Sequence, residues 1–431
     1  MREPISVYAD PLLALYTVSL LSGLTLGLFN PLASAYLLER DASEMAIGTN
    51  ATLFFLGVTL ATPVASGLIA RIGNRWTMAI GMSLTSTAAL MFPMGELLPS
   101  PASVADRLAG LLPWLKALGW LDFLREINGE ASRRFVLRAV MGLGVGLYMV
   151  GGQTALNTAA PLERRALVSG LHALMFGIGL GLGPLLGSWL YQLGPELAFG
   201  VGAAIIFAGI PIVGVGLYDS GPVRAATCAG VLSRIRLPLH GAFAYGFAEA
   251  TLVSMFPVYV LTRGFTVVQM GVAFSAFVIG GILGTLPTAH WGDRYGRERI
   301  LCGCVAIGVA ALTVLALEVS YEVLMAVAFL AGASLGPVFA LSLALVGEAL
   351  PRHDLATGSA WFTAAFSLGC TAAPASSALI MATAGDRHLF TLTIALFGVF
   401  LIRLLIDPRV WKGSHLGQER PGAQPARQGE R

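Results

Sequence analysis

Twelve stretches of about 20 predominantly apolar residues follow one another along the chain, each long enough to cross a ~30 Å hydrocarbon layer as a helix. They run 11–37, 45–70, 75–98, 135–158, 165–190, 197–218, 238–262, 267–290, 300–317, 322–348, 355–382 and 388–406, and are numbered here as spans 1 to 12. The first is too long for a signal-peptide core and carries no small-residue cleavage site, so it reads as a span. Only helices and closed barrels satisfy their backbone inside a membrane, and spans of this length predict helices. The expected fold class is therefore an all-α membrane protein of twelve transmembrane helices.

Between spans 6 and 7 the pattern turns polar at 219–237, "DSGPVRAATCAGVLSRIRL". That stretch divides the chain into a first six-helix unit (1–218), a cytoplasmic linker (219–237) and a second six-helix unit (238–410). The polar tail 411–431, rich in Gly, Pro, Gln and Arg, has the composition of a disordered segment. The halves share a frame: Gly48 and Gly73 stand 25 positions apart, as do Gly271 and Gly296, with Gly57 matching Gly280 and Arg71 matching Arg294. A repeat of this kind marks transporters built from two pseudo-symmetric bundles.

Arginines set the expected orientation. Arg71, Arg75, Arg164, Arg165, Arg224, Arg234, Arg236, Arg294, Arg297, Arg299 and Arg352 all fall on one side of the predicted membrane, with the basic tail. By the positive-inside rule that side is cytoplasmic, and both termini lie there. The opposite side holds Arg40, Arg263, Arg387 and a long loop at 99–134. In that loop Val104, Leu108, Leu111, Leu115, Leu118, Leu121 and Phe123 recur between charges, beside Trp114 and Trp120, as in an amphipathic helix lying on the membrane surface. It serves either as structural elaboration or as an outer lid or platform.

Composition agrees: 56% of residues are apolar, 12% charged, and the mean hydropathy is +0.75. A net charge of +3 gives no reason to expect a nucleic-acid partner. The four cysteines include no C-x-x-C pair and the six histidines no metal-ligand spacing, so neither a metal site nor a cofactor is predicted. No nucleophile–base set or phosphate loop is present, which argues against an enzyme.

Charge is concentrated at "GDRYGRER". Asp293, Arg294, Gly296 and Arg297 resemble the G-x-x-x-D-R-x-G-R-R signature of the major facilitator superfamily, found between helices 2 and 3 and again between 8 and 9. The first copy keeps Arg71, Gly73 and Arg75, but Ala70 stands where the Asp belongs. The loop is either a cytoplasmic gating latch or a topology anchor. In span 4, Arg138, Gly142 and Gly144 resemble the R-x-x-x-G-x-G pattern of proton-coupled members. In span 5, Gly179, Gly183, Pro184 and Gly187 resemble the G-x-x-x-G-P-x-x-G pattern of drug/proton antiporters. The resemblance covers the whole chain and is nearest to twelve-helix multidrug and sugar efflux members. It implies a monomeric secondary transporter in a bacterial inner membrane that moves a small organic molecule by alternating access. Proton-coupled efflux is the first reading, an uptake symporter or facilitator the second, and a non-transporting receptor or scaffold a distant third.

Two ionisable residues lie deep in spans, Arg138 and Glu249. Charge at that depth is expensive and marks function by default. The resemblance places spans 1, 4, 7 and 10 around a central cavity, with both residues on its wall. They form either a proton-coupling site or a permanent structural pair. Helical phase adds Tyr16, Ser19 and Asn30 of span 1, Met149 and Gln153 of span 4, and Tyr245 and Phe256 of span 7 as cavity candidates. That set suits an amphipathic or weakly cationic molecule; protons and the surrounding membrane lipids are the other expected partners. Reporter fusions within 219–237 should report the same side as both termini; activity on the opposite side would refute the topology.

Overall fold

The computed structural model describes residues 11–95, 130–159, 165–217, 231–317, 319–351 and 354–406. Residues 99–129 of the expected surface segment, 219–230 of the linker and the tail 411–431 lie outside the described residues. Among the described residues there are thirteen α-helices and no strand. They are α1 (Pro11–Leu38), α2 (Glu44–Met91), α3 (Glu130–Ala159), α4 (Arg165–Leu193), α5 (Pro195–Gly216), α6 (Val231–Arg234), α7 (Arg236–Ser254), α8 (Phe256–Thr262), α9 (Val267–Tyr295), α10 (Arg297–Leu315), α11 (Tyr321–Ala349), α12 (Leu355–Ala384) and α13 (Thr391–Ile406).

Ten of these helices are long and apolar enough to span a membrane. Two further crossings follow from their geometry. α7 and α8 meet at Met255 with a bend of 41°, beside Pro257, and together make one span. α2 has 48 residues, about 72 Å at 1.5 Å each, more than twice a hydrocarbon core. Gly73 breaks it with φ 82°, a left-handed value that suits glycine. The partner α3 shows that the chain doubles back there. Gly142 and Gly146 face Phe54 and Val58 on the first arm, in rising order, whereas Gly144 and Gly151 face Thr85 and Met78 on the second, in falling order. The two arms are thus antiparallel and equal spans 2 and 3, which completes twelve. α3 begins at Glu130, so the last residues assigned to the surface loop belong to span 4 instead.

The glycines explain why these helices pair. In lipid, backbones attract one another through close van der Waals contact, which small residues permit. Gly179 and Gly183 of α4 lie on the backbone of α1 at Leu20–Leu28, and Gly57 of α2 lies on Ala139 and Leu143 of α3. The second half reproduces these contacts. Gly369 meets Phe243 and Phe247 as Gly179 meets Leu20 and Leu24, and Gly280 meets Phe329 and Ala333 as Gly57 meets Ala139 and Leu143. Positions in spans 1–3 recur 223 residues later and positions in spans 4–5 recur 190 later. The difference of 33 is the long segment between spans 3 and 4, which has no counterpart between α10 and α11. Even the caps obey the repeat: Ser43 caps α2, and Thr266, 223 residues on, caps α9 in a reciprocal capping box with Gln269.

The halves meet along α2 with α12 and along α4 with α9. A Cβ on Gly48 would come 2.7 Å from the Pro374 carbonyl oxygen, and one on Gly271 would come 2.6 Å from that of Pro184. Beyond the Pro374 ring, the Ala375 N–H donates to Thr52 Oγ1 across the halves at 3.1 Å. These two seams close the end of the molecule at which α2 and α9 begin, called distal below; Gly73 and Gly296 turn the chain at the other, basic end. Residues 25–37 of α1 and 250–260 of α7 and α8 are buried throughout, so the distal side is sealed. Gly48→Val or Gly271→Val should leave the protein folded and wedge the distal rim apart. Spin labels at Met45 and Arg387 read this as a longer distance; an unchanged distribution would remove the seams from the closing contact.

Candidate substrate cavity and coupling site

Between the halves lies a cavity of about 210 Å³. Its first wall is Asn30 of α1, Phe54, Phe55 and Thr59 of α2, Met149 of α3 and Phe176 of α4; its second is Glu249 and Val253 of α7 with Phe366, Ser367 and Cys370 of α12. Leu26, Val58, Val145 and Leu180 complete the lining, so the surface is chiefly apolar and four of its side chains are phenylalanines. Thr59 and Thr371 bridge the halves at its edge, Oγ1 to Oγ1 at 3.2 Å.

Glu249 is the one acidic or basic side chain among the described residues that line this cavity. Its carboxyl bonds to the Tyr245 hydroxyl one turn earlier. The Tyr245 ring is wedged between Phe339 and Phe366, with centroids at 5.7 and 6.1 Å. The hydroxyl is thereby held toward the carboxyl, and the Cys370 thiol lines the wall beside it.

Arg138 lies one layer deeper than the resemblance implies. At 1% exposure it sits behind Asn30 and Phe54 rather than on the cavity surface. Its Nη2 donates to Asn30 Oδ1 at 2.6 Å, Nη1 lies 3.3 Å from Met141 Sδ, and the guanidinium stands over the Phe54 ring at 4.5 Å. Asn30 is oriented for this by its own bond to the Leu26 carbonyl, 3.1 Å. A neutral amide and an aromatic face are what this buried cation receives in place of a carboxylate. Arg138 and Glu249 are not paired in this state; each contacts a different half.

The other cavity candidates divide. Asn30 and Met149 line the cavity, while Ser19, Met149 and Gln153 line a smaller pocket next to it. Tyr245 acts through Glu249. Phe256 is fully buried against Tyr259 and Phe390 at the distal end, and half-buried Tyr16 packs on the core, so neither lines the cavity. The α4 glycines Gly179, Gly183 and Gly187 face α1, and the Pro184 carbonyl seats Gly271 of the other half. Sequence reading missed the aromatic contribution of spans 2, 5 and 11. An unbroken apolar run gives no phase by which to choose Phe54 over its neighbours.

At the basic end Arg297 forms a strap. Its Nη2 meets Asp293 Oδ1 at 2.9 Å and its Nη1 meets Glu348 Oε1 at 2.9 Å, tying the α9–α10 turn to the end of α11. Arg294 lies over the Tyr295 ring at 5.4 Å. In the first copy Asn74 occupies the position of Arg297 and is buried, while Arg75 lies over Trp76.

This arrangement fits the comparisons. Residues 15–227 and 239–428 match the Major Facilitator Superfamily. The chain belongs to that superfamily. It is 26% identical over 401 residues to the uncharacterized MFS-type transporter YfkF of Bacillus subtilis, covering 91% of this chain and 94% of that protein. It is 22% identical over 406 residues to YcaD of Escherichia coli, covering 93% and 96%. Among solved structures, a bacterial homolog of the human lysosomal transporter Spinster, captured inward-facing and unoccupied, superposes with a TM-score of 0.69 at 12% identity, over 93% of this chain and 97% of that one. A D-xylose-proton symporter gives 0.68 at 15%, over 93% and 97%. The chain is therefore a multi-pass membrane transporter and not an enzyme.

Exposed ion pairs contribute only about 0.2–1 kcal/mol each, so the strap is weak as a structural brace. Asp293→Asn with Glu348→Gln should leave insertion and melting temperature nearly unchanged while slowing turnover, and Ala70→Asp should be tolerated. Undiminished transport by the double variant would reduce the strap to an anchor.

Proposed function

We propose that this chain exports a small amphipathic or weakly basic organic molecule in exchange for protons, with Glu249 as the proton site. The observation that carries the reading is Glu249 itself: a carboxyl on the wall of a mostly apolar cavity between two halves, with no Lys or Arg among the described residues that line it. Such a group is stable protonated in the apolar wall and stable ionised when water or a basic substrate reaches it. Tyr245 positions it, and because its helix belongs to the second half, rocking of the halves changes what it faces.

Arg138 and Asn30 form the opposing element of the first half. In this state Asn30 holds the guanidinium away from the cavity. When the halves rearrange, the same guanidinium is the nearest cation for an ionised Glu249. The repeat, the α4 pattern around Pro184 and the arginine distribution support an antiporter of the inner membrane type with both termini in the cytoplasm, working as a monomer. The aromatic walls favour this cargo over highly hydroxylated ones. Uptake in the opposite direction uses the same geometry, and vesicle orientation distinguishes the two.

In proteoliposomes with an imposed pH gradient, Glu249→Gln should abolish proton-driven movement of a fluorescent aromatic weak base while leaving its exchange across the membrane intact. Arg138→Ala should damage both, and Asn30→Ala should lower stability as well as turnover, because it leaves the buried guanidinium without its amide partner. Arg138→Lys should rescue only in part, since a point charge does not replace a planar fork. Normal pumping by Glu249→Gln would end the assignment.

A further inference from the structure

The two halves repeat each other's backbone contacts, but their side chains diverge at one place beside the cavity. In the first half a pocket of about 100 Å³ is lined by Ser19 and Ser22 of α1, Tyr148 and Gln153 of α3 and His172 of α4. Met149 and Phe176 line both this pocket and the central cavity, so the two spaces adjoin.

The repeat shows what the second half puts in the same place. Ser22, Met149, His172 and Phe176 correspond to Tyr245, Phe339, Phe362 and Phe366, and Ser19 and Gln153 to Ala242 and Leu343. The four rings fill the equivalent volume, with Phe339 at centroid distances of 5.7 Å from Tyr245, 5.2 Å from Phe362 and 5.3 Å from Phe366. The second half sets aromatic rings against one another there; the first leaves a lobe and lines it with hydrogen-bonding side chains. Membrane bundles gain by filling such space, so an open lobe needs an occupant.

Its chemistry defines that occupant. Ser19 donates to the His172 carbonyl at 2.9 Å and Ser22 to the Val18 carbonyl at 2.7 Å, which leaves both oxygens able only to accept. The Tyr148 hydroxyl, 2% exposed, lies beside Ser22 yet completes no hydrogen bond of sound geometry. A purely apolar group would leave that hydroxyl unsatisfied. A charged group would find no Asp, Glu, Lys or Arg on the lobe's lining. An uncharged group that both donates and accepts, a hydroxyl or a carboxamide, can donate to a serine oxygen and accept from Tyr148 or Gln153.

We infer that this lobe is a head-group subsite, and that the transported molecule has two parts: an apolar or aromatic body in the central cavity and a neutral hydroxyl- or amide-bearing head between α1, α3 and α4. The inference rests on the proposed reading of the central cavity as the substrate site, and it adds the polarity and position of the head. It also makes the two halves unequal in role, the first reading the head and the second carrying the proton.

The test uses the full-length protein in nanodiscs and a panel of aryl-alkyl alcohols, diols and carboxamides, each beside its hydrocarbon partner, such as 3-phenylpropane-1,2-diol beside propylbenzene. Apparent affinities come from ligand-dependent melting temperatures. Wild-type protein should bind the polar members about tenfold more tightly than their partners. Tyr148→Phe, which removes a single oxygen, and Gln153→Leu, which copies the second half, should bring that ratio near one without changing the hydrocarbon's own affinity. A ratio that survives both substitutions, or no preference for polar members in wild type, would overturn the head-group subsite alone. Hydrocarbon binding that is absent, or indifferent to Phe54→Ala, would overturn the central-cavity reading with it.

Discussion

The carbonyl of one helix resting on the glycine of another is the contact on which this molecule depends. Lipid tails are as apolar as leucine, so its spans gain nothing by hiding oily side chains from their surroundings, and close backbone approach takes over as the cohesive force. Gly142 under Phe54 and Gly332 under Phe277, or Gly23 under Phe176 and Gly246 under Phe366, are the same joint made twice. Because the joints fix helix spacing within each half, the space between the halves is left for other uses. The cavity, the distal seams and the bent α7–α8 span all occupy that interface.

Within this scaffold, charge is placed sparingly. Arg138 is buried behind the first wall and satisfied by Asn30 and Phe54, whereas Glu249 stands on the second wall with Tyr245. Neither half neutralises its own ionisable group with an opposite charge, so each keeps an electrostatic demand that only a movement of the halves, a proton or a ligand can answer. That division, more than any single contact, is what would let the cavity serve the proposed cycle.

Much of this was legible in the sequence. The spans followed from hydropathy and the family from Asp293, Arg294, Gly296 and Arg297. The frame linking Gly48 and Gly73 to Gly271 and Gly296 was visible too, but the equal repeat in spans 4 and 5 was not, since a 33-residue difference in length shifts it out of register. Arg138 and Glu249 stood out because charge is rare in a span. Their actual partners did not, because an Asn or Tyr at one helical phase is indistinguishable in sequence from one that merely packs. Phe256 shares the phase of Glu249, yet the bend at Met255 rotates the chain between them. Glu348, eleven residues past Pro337 on α11, escaped notice as an ordinary helix-end acid until Arg297 was seen to reach it.

The burial of Arg138 has a bearing on leakage. A fixed positive charge without a carboxylate at its side raises the potential of the low-dielectric space in front of it, as arginines do in pores that admit water and refuse cations. Sodium following water into the cavity would meet that barrier before reaching the distal wall. In the proposed cycle, which leaves the interior open to one compartment at a time, such a charge would help keep the membrane's sodium gradient intact between turnovers.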